Sequence, residues 1–389
     1  IFSKIDTSCW GLSTQSHNPI RVYPIIKFGE LSTLVRIALR DITIFMLFTS
    51  RMANLDQPLK RNLDIADYLL SLAAPLLVLK HLSNGIGWIP NNNYANLIID
   101  DPPLTLNYGH LDFDKLWKIT NKYNTSVTLA YIPYNYKRGN EKTIRFFRES
   151  KKRFGFCVHG CDHTDREFGT DDMDRIETLT HLASARMNLF SERTSIPNSK
   201  IMVFPQGVFS AEALSILKQH NFIGAVNTEL KDFNDSVQVT IRDMLQPAIT
   251  SLKGVPLFLR RKTSDGIGNF AYDLLLGKPC LLVVHHDDFS SEMEKIEKIF
   301  SDINSLHNSP EWNSLEDILT RSYVYKLVHQ DKILMKIFSS MVDLKDLANS
   351  KNYELLRIIK EENNPEKMQH IFLGKQKVQW RSEEGLIII

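Results

Sequence analysis

The sequence predicts an α/β protein built around a (β/α) barrel, and two observations carry that prediction. From about residue 94 to 305, short apolar runs rich in β-branched residues alternate with segments of helical periodicity. Strands that alternate with helices form parallel sheets with the helices outside. Seven or eight strands in this stretch fit a closed or nearly closed barrel, and an open doubly wound sheet is the alternative.

Helical additions are predicted on either side of this region. The chain has 389 residues, more than an ordinary domain of ~100–200 residues or a barrel of ~250 residues needs. We expect a mostly helical accessory segment at 1–91, the barrel at 92–305 and a helical C-terminal extension at 306–389. The helical patterns outside the barrel are Leu31–Phe48, Leu63–Leu82, Ser314–Leu319, Tyr323–Phe338 and Asn352–Glu361.

Within the barrel, strands and helices follow one another along the chain. The predicted strands are Ala95–Ile99, Ser126–Ile132, Phe154–His159, Lys200–Phe204, Phe222–Val226, Val237–Ile241, Val255–Leu259 and Cys280–His285. The predicted helices are Phe113–Tyr123, Glu141–Lys151, Asp172–Phe190, Ala211–His220, Ile267–Leu276 and Glu292–Ile303. The strands are short and apolar, as in a parallel sheet that is buried on both faces.

Composition and charge exclude several classes of protein. Hydrophobic residues make up 43% and charged residues 24%, which excludes a disordered or collagen-like chain. The net charge of +2 gives no reason to expect a nucleic-acid partner, and four cysteines do not make a disulfide scaffold. The most apolar stretches, Ile42–Phe48 and Tyr68–Leu79, fall short of the ~20 residues that span a bilayer. We therefore expect no transmembrane segment and a soluble protein, either cytoplasmic or exported by a signal upstream of Ile1.

Polar residues follow the predicted strands at the points where they end. Asp100 and Asp101 follow the first strand, His159 ends the third, and His285 ends the last. Because functional groups of α/β barrels gather at the C-terminal ends of their strands, these side chains are expected at one rim. Another strand ends in the loop Pro205-Gln206-Gly207.

His159 and His163 have the i, i+4 spacing that lets two imidazoles face one point, as a metal ion needs. With one carboxylate from Asp100 or Asp101 they form a two-histidine, one-carboxylate set that leaves positions open for water and substrate. The alternatives are surface histidines and an Asp-Pro turn. Two adjacent carboxylates repel each other unless a cation or shared proton offsets the charge, which favours the metal.

These residues resemble the motifs of the metal-dependent polysaccharide deacetylases (NodB homology, carbohydrate esterase family 4). In that family an Asp-Asp pair ends the first strand, a His-x-x-x-His ends the third, and a Leu-x-x-His ends a late strand. Here these are Asp100-Asp101, His159 with His163, and Leu282 to His285. The loop Pro205-Gln206-Gly207 also resembles the family's fourth-strand region. The resemblance covers about residues 92–300 and implies an irregular seven-stranded barrel.

The resemblance implies a role for each matched residue. Asp101, His159 and His163 become ligands of one divalent metal, zinc, while Asp100 becomes the general base and His285 the general acid. The activity implied is removal of N-acetyl groups from an amino-sugar polymer or precursor, so the partner is an acetylated carbohydrate. Substrate contacts are expected from Pro205 and Gly207. Aromatic residues near the rim, Tyr131 with Tyr134, Tyr136 and Trp117, could stack on sugar rings.

The chain departs from the family pattern in three places. Pro102 stands where the first motif has glycine, Val203-Phe204 where the third motif carries an arginine that tethers the base, and Gln206 where the loop has tyrosine. Arg260 or Arg261 could replace the missing tether. Another amidase or a glycoside hydrolase on the same barrel, or a non-catalytic carbohydrate-binding relative, remain alternatives to the deacetylase.

Overall fold

The computed structural model describes residues 21–49, 51–83, 87–105, 110–150, 152–233, 238–252, 254–290, 293–329, 332–344, 355–361, 371–373, 375–383 and 386–388. The chain divides into two compact units, residues 1–57 with 63–87, and residues 58–62 with 88–389. The barrel and the C-terminal extension therefore share one unit, although we predicted them as separate parts.

The larger unit is built on a parallel sheet whose strands we number in chain order. They are β1 Tyr94–Asp100, β2 Val127–Tyr131, β3 Phe154–His159, β4 Ser199–Val203, β5 Gly224–Asn227, β6 Leu257–Leu259, β7 Arg261–Lys262 and β8 Cys280–His285. Their order in the sheet is β6-β5-β4-β3-β2-β1-β8-β7, and all neighbours are parallel. A short strand, Glu311–Trp312, also pairs with β1.

The sheet is nearly closed into a barrel. Its two edge strands, β6 and β7, are consecutive in the chain and separated by Arg260 alone. If β6 and β7 are counted as one strand that is interrupted at Arg260, the barrel has seven strands, and each strand pairs in parallel with its neighbours. The prediction of a (β/α) barrel is confirmed, and the open doubly wound sheet is excluded by this closure.

Helices connect the strands, and all six predicted helices are present. They are Phe113–Tyr123, Glu141–Glu149, Met173–Thr194, Ala211–Gln219, Ile267–Leu275 and Met293–Asn304. Four of them begin after a side chain that accepts backbone N–H bonds of the first turn, Asp112, Asn140, Asp172 and Ser210. Such caps satisfy donors that have no partner inside the helix and so fix where each helix begins.

The barrel core is apolar along almost the full length of each strand. Buried core residues come from most of the strands, for example Ile98, Ala130, Cys157, Val203, Val226, Phe258 and Leu281. Polar side chains are concentrated where the strands end, because a parallel sheet is covered on both faces and leaves mainly its ends open. The C-terminal rim of the strands is therefore the place to look for chemistry.

One predicted barrel strand, Val237–Ile241, is wrong. The described part of it forms Val239–Thr240, which pairs antiparallel with Pro58–Leu59 away from the barrel, and Val237 lies outside the described residues. The chain then enters the short helix Ile241–Met244, which Thr240 and Asp243 cap reciprocally. This capping box stops the strand.

The C-terminal extension is mostly β structure, so its prediction as helical is wrong beyond the helix Leu315–Arg321. A six-stranded sheet contains Ile89–Pro90, Val324–His329, Lys332–Ile337, Leu355–Glu361, Arg381–Glu383 and Leu386–Ile388. In Lys332–Ile337 the buried residues Ile333 and Met335 alternate with the less buried Lys332, Leu334 and Lys336. That period of two fits one face of a sheet. A two-stranded piece, Ile371–Leu373 with Gln376–Val378, stands apart from this sheet.

The smaller unit begins with an antiparallel sheet where we predicted the helix Leu31–Phe48. Its strands are Arg21–Phe28, Leu31–Leu39 and Ile42–Leu47. Left-handed residues, Gly29 with φ 58° and Arg40 with φ 52°, make the two tight turns. The β-branched residues of this stretch favour strands, and the turns bring those strands together.

The second predicted helix of this unit is confirmed and runs over Ile65–Ser83. Among the residues that the structure describes, it alone is long and apolar enough to cross a membrane, with 19 residues, a mean hydropathy of 1.5 and 28% of its apolar window buried. This is weak evidence, because a core helix of a soluble protein has the same length and composition. A π-helical turn, Leu69–Ala73, lies just before Pro75, whose ring nitrogen cannot donate a helical hydrogen bond.

Candidate active site

Two adjacent carboxylates lie where β1 leaves the barrel. Asp100 is the last residue of β1 and is in register with Ala130 of β2 and His285 of β8. Asp101 has a left-handed backbone, with φ 55°, so the chain turns sharply after Asp100. The two side chains consequently serve different partners, and neither belongs to a simple Asp-Pro turn.

Asp101 meets both histidines of the His-x-x-x-His motif. Its Oδ1 lies 3.2 Å from His159 Nε2, and its Oδ2 lies 3.3 Å from His163 Nε2. The ligand atoms of the three residues all lie within 4.8 Å of one another. Donor atoms ~2.0–2.2 Å from a tetrahedral zinc are about 3.3–3.6 Å apart, so the spacing fits a shared metal ion.

The protonation of His159 also fits a metal. Its Nδ1 donates a hydrogen bond to the Val203 carbonyl at 3.0 Å, which leaves the lone pair of the neutral ring on Nε2. That lone pair faces Asp101 Oδ1, a buried oxygen that accepts no hydrogen bond of good geometry. Two lone pairs held this close require a proton or a cation between them. An imidazole–carboxylate set of this kind suits zinc.

The charges at this site shift the pKa values of its members. Burial raises the pKa of Asp101, but contacts with His159 and His285 outweigh it and hold that pKa well below its usual range. Burial lowers the pKa of His159, and the charges of Asp100 and Asp101 outweigh it and raise that pKa above the ordinary value. The carboxylates thus attract positive charge into the place where a metal ion would sit.

Asp100 is held by Arg260. Arg260 Nη1 and Nη2 donate to the two oxygens of Asp100 at 2.7 and 2.6 Å. Arg260 is 3% exposed, and its Nε donates to Thr228 Oγ1 at 3.2 Å while its backbone N–H donates to the Asn227 carbonyl at 2.9 Å. Of the two arginines considered as a replacement for the motif arginine, Arg260 is therefore the one that contacts Asp100. Arg261 pairs instead with the buried Asp273.

His285 approaches the same Asp101 oxygen, Oδ2, that His163 approaches. Its Nε2 is 3.2 Å from Asp101 Oδ2, its Nδ1 is 3.4 Å from Asp287 Oδ2, and its backbone N–H donates to Asp288 Oδ2. The hydrogen bond to Asp101, more than any other cause, raises the pKa of His285. Its side chain is 43% exposed, so this imidazole is open to a substrate.

The His286 ring lies beside the His285 ring, and not on the opposite face where alternation along a strand would place it. The two rings lie 4.2 Å apart at an interplanar angle of 35°, and His286 Nδ1 is 2.9 Å from Asp287 Oδ1. The reason is that β8 ends at His285, and a 3₁₀ turn, His286–Ser290, follows. Alternation holds only along a strand.

The predicted substrate contact of Tyr131 is wrong. Tyr131 is 1% exposed, its hydroxyl donates to the Asn135 carbonyl at 2.6 Å, and its ring packs on Phe156 and Phe190. Trp117 likewise packs on Phe146 and Phe154. The exposed aromatic side chain here is Tyr134, 55% exposed, whose backbone N–H donates to the Cys161 carbonyl.

The loop after β4 lies beside the motif. Pro205 is buried against Gly160, since a Cβ built on Gly160 would lie 2.4 Å from Pro205 Cγ. Gly207 has φ 70°, and its carbonyl accepts from Asn227 Nδ2 at 2.9 Å. The substrate-binding role of Gly207 stays a prediction, whereas the burial of Pro205 contradicts direct contact with substrate.

The cysteines of the motif offer no ligand. Cys157 and Cys161 are both buried. Burial raises the pKa of Cys161 to about 12, so the thiol stays protonated. Arg186 Nη1 approaches its sulfur at 3.4 Å and also pairs with Asp162. A metal at this site would therefore have imidazole and carboxylate groups as its available ligands.

Three contributors to the site were not predicted from the sequence. They are the Val203 carbonyl, the Thr228 hydroxyl and the buried carboxylate of Glu167, which accepts backbone bonds from the loop after His159. A backbone carbonyl leaves no trace in a sequence. Glu167 follows His163 by four residues, and that spacing was its only signal.

Several solved structures are similar to this chain. The Xyl-CE4 domain of a multidomain xylanase from the hindgut metagenome of Trinervitermes trinervoides has 11% identity and a TM-score of 0.36, covering 59% of this chain and 90% of that chain. A family 4 carbohydrate esterase from Streptomyces lividans, in complex with acetate, has 12% identity and a TM-score of 0.33. The match covers 55% of this chain and 88% of that chain. A CE4 family pseudoenzyme from Bacillus anthracis has 12% identity and a TM-score of 0.33. The match covers 55% of this chain and 62% of that chain.

These structures come from the family that the motifs of this chain resemble. No family model matches the sequence, and no curated protein is similar enough to match it.

Proposed function

We propose that this protein is a metal-dependent hydrolase that removes N-acetyl groups from an amino-sugar polymer or precursor. One observation carries the proposal. Asp101 lies 3.2–3.3 Å from three imidazoles, while its neighbour Asp100 is held apart from it by Arg260. Adjacent carboxylates with separate partners can perform separate tasks, one as a metal ligand and the other as a base.

Asp101, His159 and His163 are the residues that would hold the metal, which we take to be zinc. A divalent ion bound there lowers the pKa of bound water toward ~7 and polarises the carbonyl of the acetamide. The Val203 carbonyl keeps His159 in the tautomer that binds through Nε2. Three protein ligands leave room for water and substrate.

Asp100 is the proposed general base. Its two bonds with Arg260 fix the carboxylate plane and still leave lone pairs free, since an ionised carboxylate has about four acceptor positions. Asp100 would take a proton from the attacking water at the rim, where β1 ends.

His285 is the proposed general acid. Its Nε2–H donates to Asp101 in this structure, and its half-exposed ring can turn that proton toward a leaving amine. Asp287 Oδ2 lies near the other ring nitrogen of His285, Nδ1, and Asp288 Oδ2 accepts the backbone N–H of His285. A leaving amine needs a proton, and a histidine can supply it near neutral pH.

A glycoside hydrolase fits these contacts less well. It needs two carboxyl groups, one of them protonated, across the scissile bond. Asp100 and Asp101 are neighbours in the chain, and the buried Arg260 occupies both oxygens of Asp100 with hydrogen bonds. Glycoside hydrolysis by two carboxyl groups also does not need the imidazoles that surround Asp101.

The test is product analysis with acetylated chito-oligosaccharides and the zinc-loaded protein. We expect free acetate and free amine in equal amounts, without new reducing ends. New reducing ends without acetate would assign the protein to the glycoside hydrolases. A protein that carries zinc, binds the oligosaccharide and releases neither product would be the non-catalytic relative, and the proposal would fall.

A further inference from the structure

One buried acidic side chain beside the metal-donor set has no part in the chemistry proposed above. Glu167 is 1% exposed. Its Oε1 accepts the Cys161 backbone N–H at 2.7 Å, and its Oε2 accepts the Asp162 backbone N–H at 3.1 Å. Both amides lie in the short loop that joins His159 to His163. The loop carrying the two imidazoles is therefore folded around a single carboxylate.

The same loop is shaped to admit this carboxylate. Gly160 has φ +61°, and a Cβ built there would lie 1.9 Å from Glu167 Oε1. His163 at the other end of the loop also has a left-handed backbone, with φ 60°. A non-glycine residue adopts that conformation at a cost in energy, so the surrounding structure has to hold it. The two bonds to Glu167 constrain the backbone immediately before His163.

The two imidazoles are positioned in different ways. His159 belongs to β3, and its Nδ1 is fixed by the Val203 carbonyl of β4. His163 lies beyond the strand, and its ring contacts Asp101 and His159. The place of His163 therefore depends on the backbone of residues 160–162, which Glu167 holds. A metal site tolerates only small errors in ligand position, so a loosened loop weakens binding.

We infer that Glu167 is a positioning residue for the metal site, setting the place of His163 relative to His159 through the loop amides. This inference rests on the proposed function, because it assumes the same three ligands. Glutamine has one acceptor oxygen where Glu167 uses two, and its NH₂ group would face an N–H. Glu167→Gln therefore removes one bond of the pair while the size of the side chain is kept.

The experiment measures metal binding to the whole protein. Zinc affinity is determined by competition with a chromophoric chelator, and the visible absorption of the cobalt-loaded protein reports the ligand geometry. For Glu167→Gln we expect zinc to bind about 10–100-fold more weakly and the cobalt bands to change, as for other outer partners of metal ligands. The thermal midpoint of the metal-free protein is recorded beside these values.

Glu316→Gln is the matched control. Glu316 is half-buried, and its Oε2 accepts from Ser199 Oγ at 2.7 Å at the opposite end of β4, away from the rim. This variant should keep the zinc affinity and the cobalt spectrum of the wild type. Should Glu167→Gln fail to fold, Glu167→Asp replaces it, since its shorter side chain cannot hold both amides in place, and the same weakening is expected.

The outcomes separate this inference from the proposed function. A Glu167 variant with the zinc affinity and the cobalt spectrum of the wild type overturns the inference, even if its thermal midpoint falls, because Glu167 would then support folding alone. Equal weakening in Glu316→Gln also overturns it. A wild-type protein that binds neither zinc nor cobalt overturns the proposed function, and the positioning role with it.

Discussion

Arg260 holds Asp100 by two parallel hydrogen bonds of 2.7 and 2.6 Å, and it does so from the single position between the two edge strands of the barrel. The break in the barrel thus places a guanidinium beside the end of β1. The backbone N–H of Arg260 donates to the Asn227 carbonyl, which fixes the chain at this position. The residue at which the edge strand is interrupted is thus the residue that orients the Asp100 carboxylate.

Arg260→Lys should keep the metal and lose about 10²-fold in acetate release, an effect in the range attributed to a positioned general base. Lysine is a point charge without the planar fork that binds both oxygens of a carboxylate. Acetate release and zinc content are measured on the same preparation. Arg193→Lys is the control, since Arg193 is bound to backbone carbonyls of Tyr136 and Arg138. Full activity in Arg260→Lys would remove the tether from the account.

Asp100→Asn should keep one equivalent of metal and lose about 10²–10⁴-fold in turnover, because the amide cannot take the water proton. Zinc content and acetate release are compared with the wild type. The variant also leaves Arg260 partly unpaired, so a lower thermal midpoint is expected. Turnover at the wild-type rate would reassign Asp100 to a purely structural pair.

His285→Ala and His286→Ala, assayed side by side with their metal content, test the proton donor. His285 Nε2 is the imidazole nitrogen of this pair that lies 3.2 Å from Asp101, so His285→Ala should lose most deacetylation. His286→Ala should retain most of it. If His286→Ala is the inactive variant and His285→Ala works normally, the assignment of the acid is wrong.

Metal removal should destabilise the folded protein. A ligand that binds only the native state adds about 2.7 kcal/mol to the free energy of unfolding at 100 times its Kd. Dialysis against a chelator should therefore lower the thermal midpoint, and zinc should restore it. Magnesium at the same concentration is the control, because it prefers all-oxygen sites. A midpoint independent of zinc would contradict a metal site built from folded strand ends.

The barrel and most of its site were predictable because their signals are local. Apolar strands that run directly into Asp100, His159 and His285 identify the rim from sequence alone. The choice between Arg260 and Arg261 was not predictable, because neighbouring residues at a broken strand face different partners, Asp100 and Asp273. Tyr131 was misplaced because an aromatic on a strand looks the same whether its ring packs inside or stacks on a sugar.

The flanking segments were mispredicted for a different reason. The apolar residues of Leu31–Phe48 and Tyr323–Phe338 fit helical and strand spacing almost equally well over short windows. Pairing decides between them, and the partners are distant in sequence, as when Lys332–Ile337 pairs with Leu355–Glu361. Local propensity does not contain that information.

Metal stoichiometry in the wild type and in His159→Ala tests the central claim most directly. Both proteins are loaded with zinc, freed of excess metal and analysed for bound metal, with His181→Ala as the control because His181 lies in the helix Met173–Thr194. We predict one equivalent in the wild type and in His181→Ala, and none in His159→Ala. A full equivalent in His159→Ala, or none in the wild type, would contradict the account.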